Sequence, residues 1–338
     1  MTAGPPPRVA IVGLGTIGRI HADRIRQLDA TLVAGADVSA DARESFAAEY
    51  GVSTYADHES LLEDAAVDAV FVCVPNSVHE RVATAALERG CAVLLEKPLA
   101  HSIESAERIA AAADEADAFC AVGFTMRFSN LTRRVVALRE AGRLGSITHV
   151  DVDYLRRDAL PGEGRSWFTD PELAGGGVAM DLGVHVIDLA LYLLEYPTVL
   201  EVTGVTRSEF GTDGVEDSAL ALLRCANGRT IAVQTSWRAT RSPSQQCVVR
   251  GTDAGVEFDV TEPDLEVFDA RPNGTDETIS VDVGDMHLAE DRAFLEALDG
   301  EPTALTGTVD DALTVQRVLR AIYDSSERDE AVRLDEYR

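Results

Sequence analysis

The arrangement that most narrows what this chain can fold into stands near its start. A short apolar run, Arg8–Val12, passes directly into Gly13-Leu14-Gly15-Thr16-Ile17-Gly18. A helical pattern follows through His21, Ile25 and Leu28, and residues 31–36 form a second apolar run ending at Asp37. The glycine string alone is weak, because glycine-rich turns are common. Its setting carries the weight: strand before, helix after, and an acidic residue 19 positions beyond Gly18, near the ~20 expected of a ribose-binding carboxylate. In such a unit the first two glycines let the backbone turn and approach a pyrophosphate, and the helix N-terminus offers unpaired N–H groups. Gly13, Gly15, Thr16, Ile17, Gly18 and Asp37 are therefore predicted to bind a dinucleotide. A carboxylate at position 37 accepts from ribose hydroxyls and repels a 2′-phosphate. Val38 and Ser39 bring no arginine beside it, and Arg43 is a helix position further along, so NAD is expected over NADP.

The alternation continues. Helices are predicted over 42–50 and 59–65, then a buried strand over 69–74 that opens into Pro75-Asn76. Ser77 and Glu80 have capping-box spacing for a helix that halts at Gly90. A strand over 92–95 runs into Glu96-Lys97-Pro98, followed by a helix over 102–116 and a strand over 119–123. Successive strand–helix units of this length imply a doubly wound parallel sheet. Its ligands lie beyond the carboxyl ends of the strands, which is where the glycine loop, Asp37, Pro75-Asn76 and Glu96-Lys97-Pro98 all fall. Of the 30 basic residues, all are arginine but one, Lys97. A lysine is a compact ammonium whose charge responds to its surroundings, unlike the flat, permanently charged guanidinium. Its retention at a strand end marks a site needing such a cation.

Composition sets limits on partners. The 338 residues favour two domains, and 46% hydrophobic content supplies their cores. A net charge of −28 argues against nucleic acid and against an anionic membrane surface. An acidic, lysine-poor surface is also what a salt-rich cytoplasm selects, since at about 1 M salt the Debye length falls to ~3 Å and self-repulsion is screened. The five cysteines show no metal-ligand spacing, so no metal is expected. Residues 1–7 read as a flexible, proline-rich tail without a signal-peptide core, and no run is expected to reach the ~18 apolar residues of a membrane span. A cytoplasmic protein is expected.

After Gly123 the grammar changes, so the domains are set at 8–123 and 124–338. A helix over 130–141 is followed by β-rich runs at 147–155, 200–207, 219–225, 230–237, 247–251, 255–260, 265–268 and 278–283. Turns at 226–229 and 252–255 look like hairpins, so this half is α+β with a mainly antiparallel sheet. Two helices, over 288–299 and 309–325, close it. Within it, Gly175-Gly176-Gly177 leads into a helix carrying Asp181, His185 and Asp188. Positions four and three apart share a helix face. A carboxylate beside an imidazole orients the ring and supports its protonated form, which suits a general base near neutral pH.

Taken together, the chain resembles the Gfo/Idh/MocA family, which includes inositol dehydrogenases and glucose–fructose oxidoreductase. The resemblance covers nearly the whole length. It rests on Gly13-x-Gly15-x-x-Gly18, Pro75-Asn76-x-x-His79, Glu96-Lys97-Pro98, Gly123-Phe124 with Arg127, Gly175-Gly176-Gly177, and Asp181-x-Gly183-x-His185-x-x-Asp188. It implies an N-terminal Rossmann domain and a C-terminal domain with a large open sheet, one face of which commonly makes subunit contacts, hence a homodimer or homotetramer. It adds Pro75, Asn76, His79, Glu96 and Lys97 to the cofactor side. It implies a catalytic trio in which Lys97 binds the reacting oxygen, His185 takes the hydroxyl proton and Asp181 positions substrate. Arg127, Tyr154, Arg156, Arg157 and Trp167 lie in segments from which such pockets are built. The activity implied is NAD-dependent oxidation of a secondary hydroxyl of a cyclitol or sugar. A ketoreductase of a sugar derivative, or a non-catalytic NAD-binding regulator, would use the same scaffold, the regulator being expected to lack Lys97 or His185.

Overall fold

The computed structural model describes residues 5–157, 166–210, 214–298, 300 and 307–337. Most of the tail expected over 1–7 lies outside these residues. The chain divides into two compact units, residues 1–123 with 287–313, and residues 124–286 with 314–338.

The first unit alternates strand and helix: β1 (Arg8–Val12), α1 (Thr16–Ile25), β2 (Thr31–Ala36), α2 (Ala40–Tyr50), β3 (Ser53–Tyr55), α3 (His58–Asp64), β4 (Ala69–Val72), α4 (His79–Glu88), β5 (Ala92–Leu95), α5 (Ile103–Glu115) and β6 (Cys120–Val122). The strands form one sheet in the order β3-β2-β1-β4-β5-β6, and all five pairings are parallel. β4 and β5 are apolar and buried at every position, as strands covered on both faces must be. Helix starts follow local chemistry: Ser39, Asp57 and Ser102 each accept a first-turn N–H at α2, α3 and α5. At α4 the capping-box expectation fails. The chain enters through a 3₁₀ turn, Asn76–Val78, and Glu80 reaches across to Ser105 Oγ (2.7 Å) and Arg108 instead. A two-toothed partner on α5 holds that carboxylate better than its own backbone would.

The second unit contains α6 (Asn130–Glu140), β7 (Ile147–Leu155), α7 (Pro171–Ala174), α8 (Val184–Leu193), β8 (Val199–Arg207), β9 (Ser218–Cys225), β10 (Thr230–Ser236), β11 (Gln246–Gly251), β12 (Ala254–Asp259), β13 (Asp264–Asp269) and β14 (Glu277–Ser280). Then come α9 (Met286–Ala297), α10 (Val309–Arg328) and β15 (Val332–Arg333). The sheet runs β14-β13-β12-β11-β7-β10-β9-β8-β15, antiparallel except where β10 lies parallel to β7. The turn between β9 and β10 puts Asn227 at φ 61° and Gly228 at φ 74°, the left-handed pair that matches strand twist in tight hairpins. α8 packs on β7 and β10. Residues 171–193 prove long and apolar enough to cross a membrane, with mean hydropathy 1.4, contrary to the sequence expectation, but 83% of that window is buried inside the fold. It is a core segment.

The domain boundary needs one correction. Residues 287–313, assigned from sequence to the second domain, belong to the first unit. Phe294 on α9 stands edge-on to Phe71 and Phe119, with centroids 5.3 and 5.4 Å away. Full burial of a side chain of this size contributes about 1.5–3 kcal/mol, and this sheet offers the apolar face that α9 needs.

Candidate functional site

In the first unit, β1 and β4 are neighbours whose connections leave in opposite directions, which makes the gap between their carboxyl ends the sheet's switch point. The glycine loop fits it closely. At Gly13 (φ +96°) a Cβ would stand 2.2 Å from the Cys73 carbonyl oxygen, and at Gly18 2.0 Å from that of Gly13. A Cβ at Gly15 would meet nothing within 4 Å. Gly15 is the N-cap of α1 and offers no side chain to its first turn, so exposed Thr16 and Ile17 begin the helix facing open space, while buried Gly18 lets the helix close against Gly13. Loop and helix therefore fit a pyrophosphate. Asp37 receives the Leu14 and Ser39 N–H groups, each at 2.8 Å, which ties the glycine loop to the end of β2. An ionised carboxylate offers about four acceptor sites, so capacity for ribose hydroxyls remains. The Arg43 side chain, expected further along the helix, folds back onto the Asp37 and Val38 carbonyls at 2.8 and 3.1 Å.

Beyond β4, Pro75 and buried Asn76 begin the 3₁₀ turn. His79 is a correction. It is wholly buried, its ring nitrogens 3.0 Å from the Pro98 and Val74 carbonyls, so it braces one loop against the next rather than reaching a cofactor. Beyond β5, Lys97 is part-buried and its bond to Pro98 is cis. Glu96 turns inward: Oε1 lies 3.1 Å from His21 Nε2, and Oε2 accepts the Lys97 N–H at 3.3 Å.

In the second unit, Asp181 lies in a π-helical turn, Ala179–Gly183, that feeds α8; such turns concentrate at functional sites. Trp237 Nε1 donates to Asp181 Oδ2 at 2.9 Å. The His185 ring lies 6.2 Å from that of Tyr154. Arg156 donates to the Tyr154 hydroxyl at 2.8 Å and feels the opposite charge of Asp181. Asp181, His185, Tyr154 and Arg156 thus form one polar group. Glu216 holds the glycine turn, accepting from Gly177 and Ala179 N–H and from the Tyr323 hydroxyl; burial pushes its pKa up against these bonds.

Other sequence candidates fall elsewhere. Arg127 is buried, with its guanidinium bound to Asp188 and Tyr196 and lying over the Phe124, Tyr192 and Tyr196 rings. This corrects one expectation: Arg127 is a core ion pair with Asp188 rather than a pocket wall. The reason is the desolvation of a buried charge, which demands a charged partner at bonding distance. Trp167 stacks on Phe168 at 3.9 Å, and Arg157 is exposed beside undescribed residues. Trp237, His21 and Asp291 escaped the sequence reading. Asp291 gave one signal: it shares the apolar stripe of Phe294, Leu295 and Leu298 at helical spacing.

Comparison with known proteins decides the family. Residues 7–124 match the model described as oxidoreductase family, NAD-binding Rossmann fold, and residues 132–257 match the GFO/IDH/MocA C-terminal domain. The chain belongs to the Gfo/Idh/MocA oxidoreductase family. This family member is 31% identical to a D-xylose 1-dehydrogenase (NADP(+)) of Haloferax volcanii, over 96% of this chain and 97% of that one. It is 28% identical to the D-glucoside 3-dehydrogenase of Escherichia coli (strain K12), over 97% and 98%. Its fold matches an inositol dehydrogenase homolog complexed with NAD+ from Azotobacter vinelandii at TM-score 0.89, with 23% identity and 98% of each chain covered. The Gfo/Idh/MocA chain is an oxidoreductase with an NAD-binding Rossmann unit.

Proposed function

We propose that the protein is a dehydrogenase that oxidises a secondary hydroxyl of a sugar or cyclitol, preferring NAD to NADP. The observation that carries the reading is Lys97, the chain's one lysine, at the carboxyl end of β5 in a sheet whose glycine loop fits a pyrophosphate. The glucoside, xylose and inositol dehydrogenases among its relatives support the substrate class. NAD, when bound, supplies the hydride-accepting nicotinamide carbon. The Lys97 ammonium stabilises negative charge on the substrate oxygen as its proton leaves. His185 takes that proton as general base. Asp181, fixed by Trp237, orients the substrate, with Tyr154 and Arg156 beside it. The test is a panel of sugars, cyclitols and their keto derivatives with both nucleotides. NADH formation or consumption supports the reading, and ligand-dependent stabilisation without turnover would make the protein a regulator.

Cofactor preference follows from Asp37. The wild type is expected to favour NAD in kcat/KM by about tenfold or more, and Asp37→Ser to erase that preference, because the repelling carboxylate is gone. Comparable kcat/KM for the two nucleotides in the wild type, with Arg43 offsetting the carboxylate, would overturn it.

Two further parts of the proposal concern the surface. Leu220 and Leu222 on β9 are 54% and 50% exposed and stand near Val205, 44% exposed, on the open face of the large sheet. Exposed apolar clusters of this kind mark association surfaces, and this one is assigned to a second copy of the chain. Light scattering should give a dimer or tetramer, with Leu220→Glu shifting it toward monomer; a monomeric wild type would dismiss it. The −28 charge is assigned to a salt-rich cytoplasm. Raising KCl from about 0.1 M to about 2 M should raise Tm, as self-repulsion is screened. An unchanged or falling Tm would overturn that assignment.

A further inference from the structure

Behind the Glu96-Lys97-Pro98 turn lies a buried chain of charges that the proposed chemistry does not use. His21, one turn into α1, is 3% exposed. Its Nδ1 lies 2.9 Å from Asp291 Oδ1 on α9, and its Nε2 lies 3.1 Å from Glu96 Oε1 beyond β5. Both ring nitrogens therefore face carboxylates at bonding distance. A neutral imidazole has one N–H and leaves one of those contacts as two lone pairs, whereas an imidazolium donates to both.

Each neighbouring group fits that assignment. On α9, Glu290 is buried and neither of its oxygens has a hydrogen-bond partner among the described residues. Burial and the nearby carboxylates of Glu96 and Asp291 push its pKa well up, which favours its neutral form. Burial likewise keeps the Cys73 thiol, beyond β4, protonated. Arg24, one turn along α1, acts on Glu290 as a positive charge, and Phe71 meets the His21 ring edge-on at 5.1 Å. Lys97 and His287 both act on Glu96 as positive charges. Among these groups runs an alternating series, Asp291 negative, His21 positive, Glu96 negative, Lys97 positive, with Arg24 standing outside it beside Glu290. Burial disfavours the imidazolium, but the bonds to Asp291 and Glu96 outweigh it and raise the His21 pKa to about 10.

We infer that Asp291 and His21 are positioning residues for Lys97, acting through Glu96, and that His21 performs this role as an imidazolium. The series ties the helix that begins at the glycine loop to the turn that carries the lysine. Glu96 is clamped from one side by His21 and from the other by the Lys97 N–H, which fixes the direction in which the lysine leaves the backbone. The inference rests on the reading of Lys97 given under the proposed function.

The experiment combines ring ¹⁵N NMR with kinetics and nucleotide titration. In the wild type at about pH 8 both His21 nitrogens are expected to be protonated, since the folded-state pKa exceeds the unfolded ~6.5. Because that pKa is raised, His21 stabilises the fold fully below about pH 6.5 and ceases to as pH rises through about 10. The Tm of the wild type should therefore fall more over that window than the Tm of His21→Gln. His21→Gln is expected to lower kcat by about tenfold or more with NAD affinity within roughly twofold. Asp291→Asn, which serves if His21→Gln does not fold, should lower the His21 pKa. Its kcat relative to wild type should then recover as pH falls to about 6 and the imidazolium returns. A neutral His21 ring in the wild type at about pH 8, an unchanged kcat in both variants, or losses that track NAD affinity at every pH would overturn the inference. Absence of turnover in the wild type would instead defeat the functional reading, while the NMR result would still decide whether the charge series exists.

Discussion

Lys97→Ala is expected to lower kcat by about 1,000-fold while leaving nucleotide affinity and Tm close to wild type. Removing a single preorganised donor to a developing oxyanion costs about 10²–10³ in rate, and here the donor also carries a full charge. The side chain is part-buried at a strand end and its loss opens no core cavity, so the effect belongs to turnover. Lys97→Arg is expected to recover little of it, because a guanidinium is a broad fork with a different reach from that of an ammonium. The measurement is steady-state kinetics on the best substrate of the panel, paired with nucleotide titration. A variant that keeps more than about a tenth of wild-type kcat would remove Lys97 from the chemistry.

Asp188→Ala is expected to be the most damaging change to the fold, destabilising it by about 3–5 kcal/mol and lowering Tm by roughly 10 °C. Asp188 is wholly buried and Arg127 is 3% exposed, so truncating the carboxylate leaves a guanidinium enclosed by Phe124, Tyr192 and Tyr196 without its counter-charge. The Tyr196 hydroxyl, which donates to the same carboxylate, loses its acceptor too. Arg127→Met with Asp188→Leu, which removes both charges, should recover much of the loss, since apolar replacement of a buried pair is often neutral. Thermal and urea unfolding test this directly. A single variant within about 1 kcal/mol of wild type would mean that water reaches the pair.

The sheet of the first unit was readable because its signals are local. Strands of four to six residues are punctuated by Gly51 and Gly90, and Ser39 and Ser102 start helices through bonds to their own backbone. The three-residue β3 and two-residue β15 were missed, since so short a run carries no period. The same locality made the 226–229 hairpin visible and put Asp181 and His185 on successive turns. Where the reading failed, at Glu80, His79 and Arg127, a partner elsewhere in the chain held the side chain. Glu80 preferred Arg108, and Asp188 preferred Arg127, 61 positions away.

By itself the sequence determined the parallel sheet, the loops at its carboxyl edge and the identity of the lone ammonium among them. Apolar periodicity and turn residues act within a few bonds of the backbone, so those features are written locally. Only the tertiary structure decided which buried charges meet: His21 with Asp291 across 270 positions, and α9 against the first sheet instead of the second. Periodicity reports that a side chain is buried. Which opposite charge then offsets its lost hydration is settled by packing.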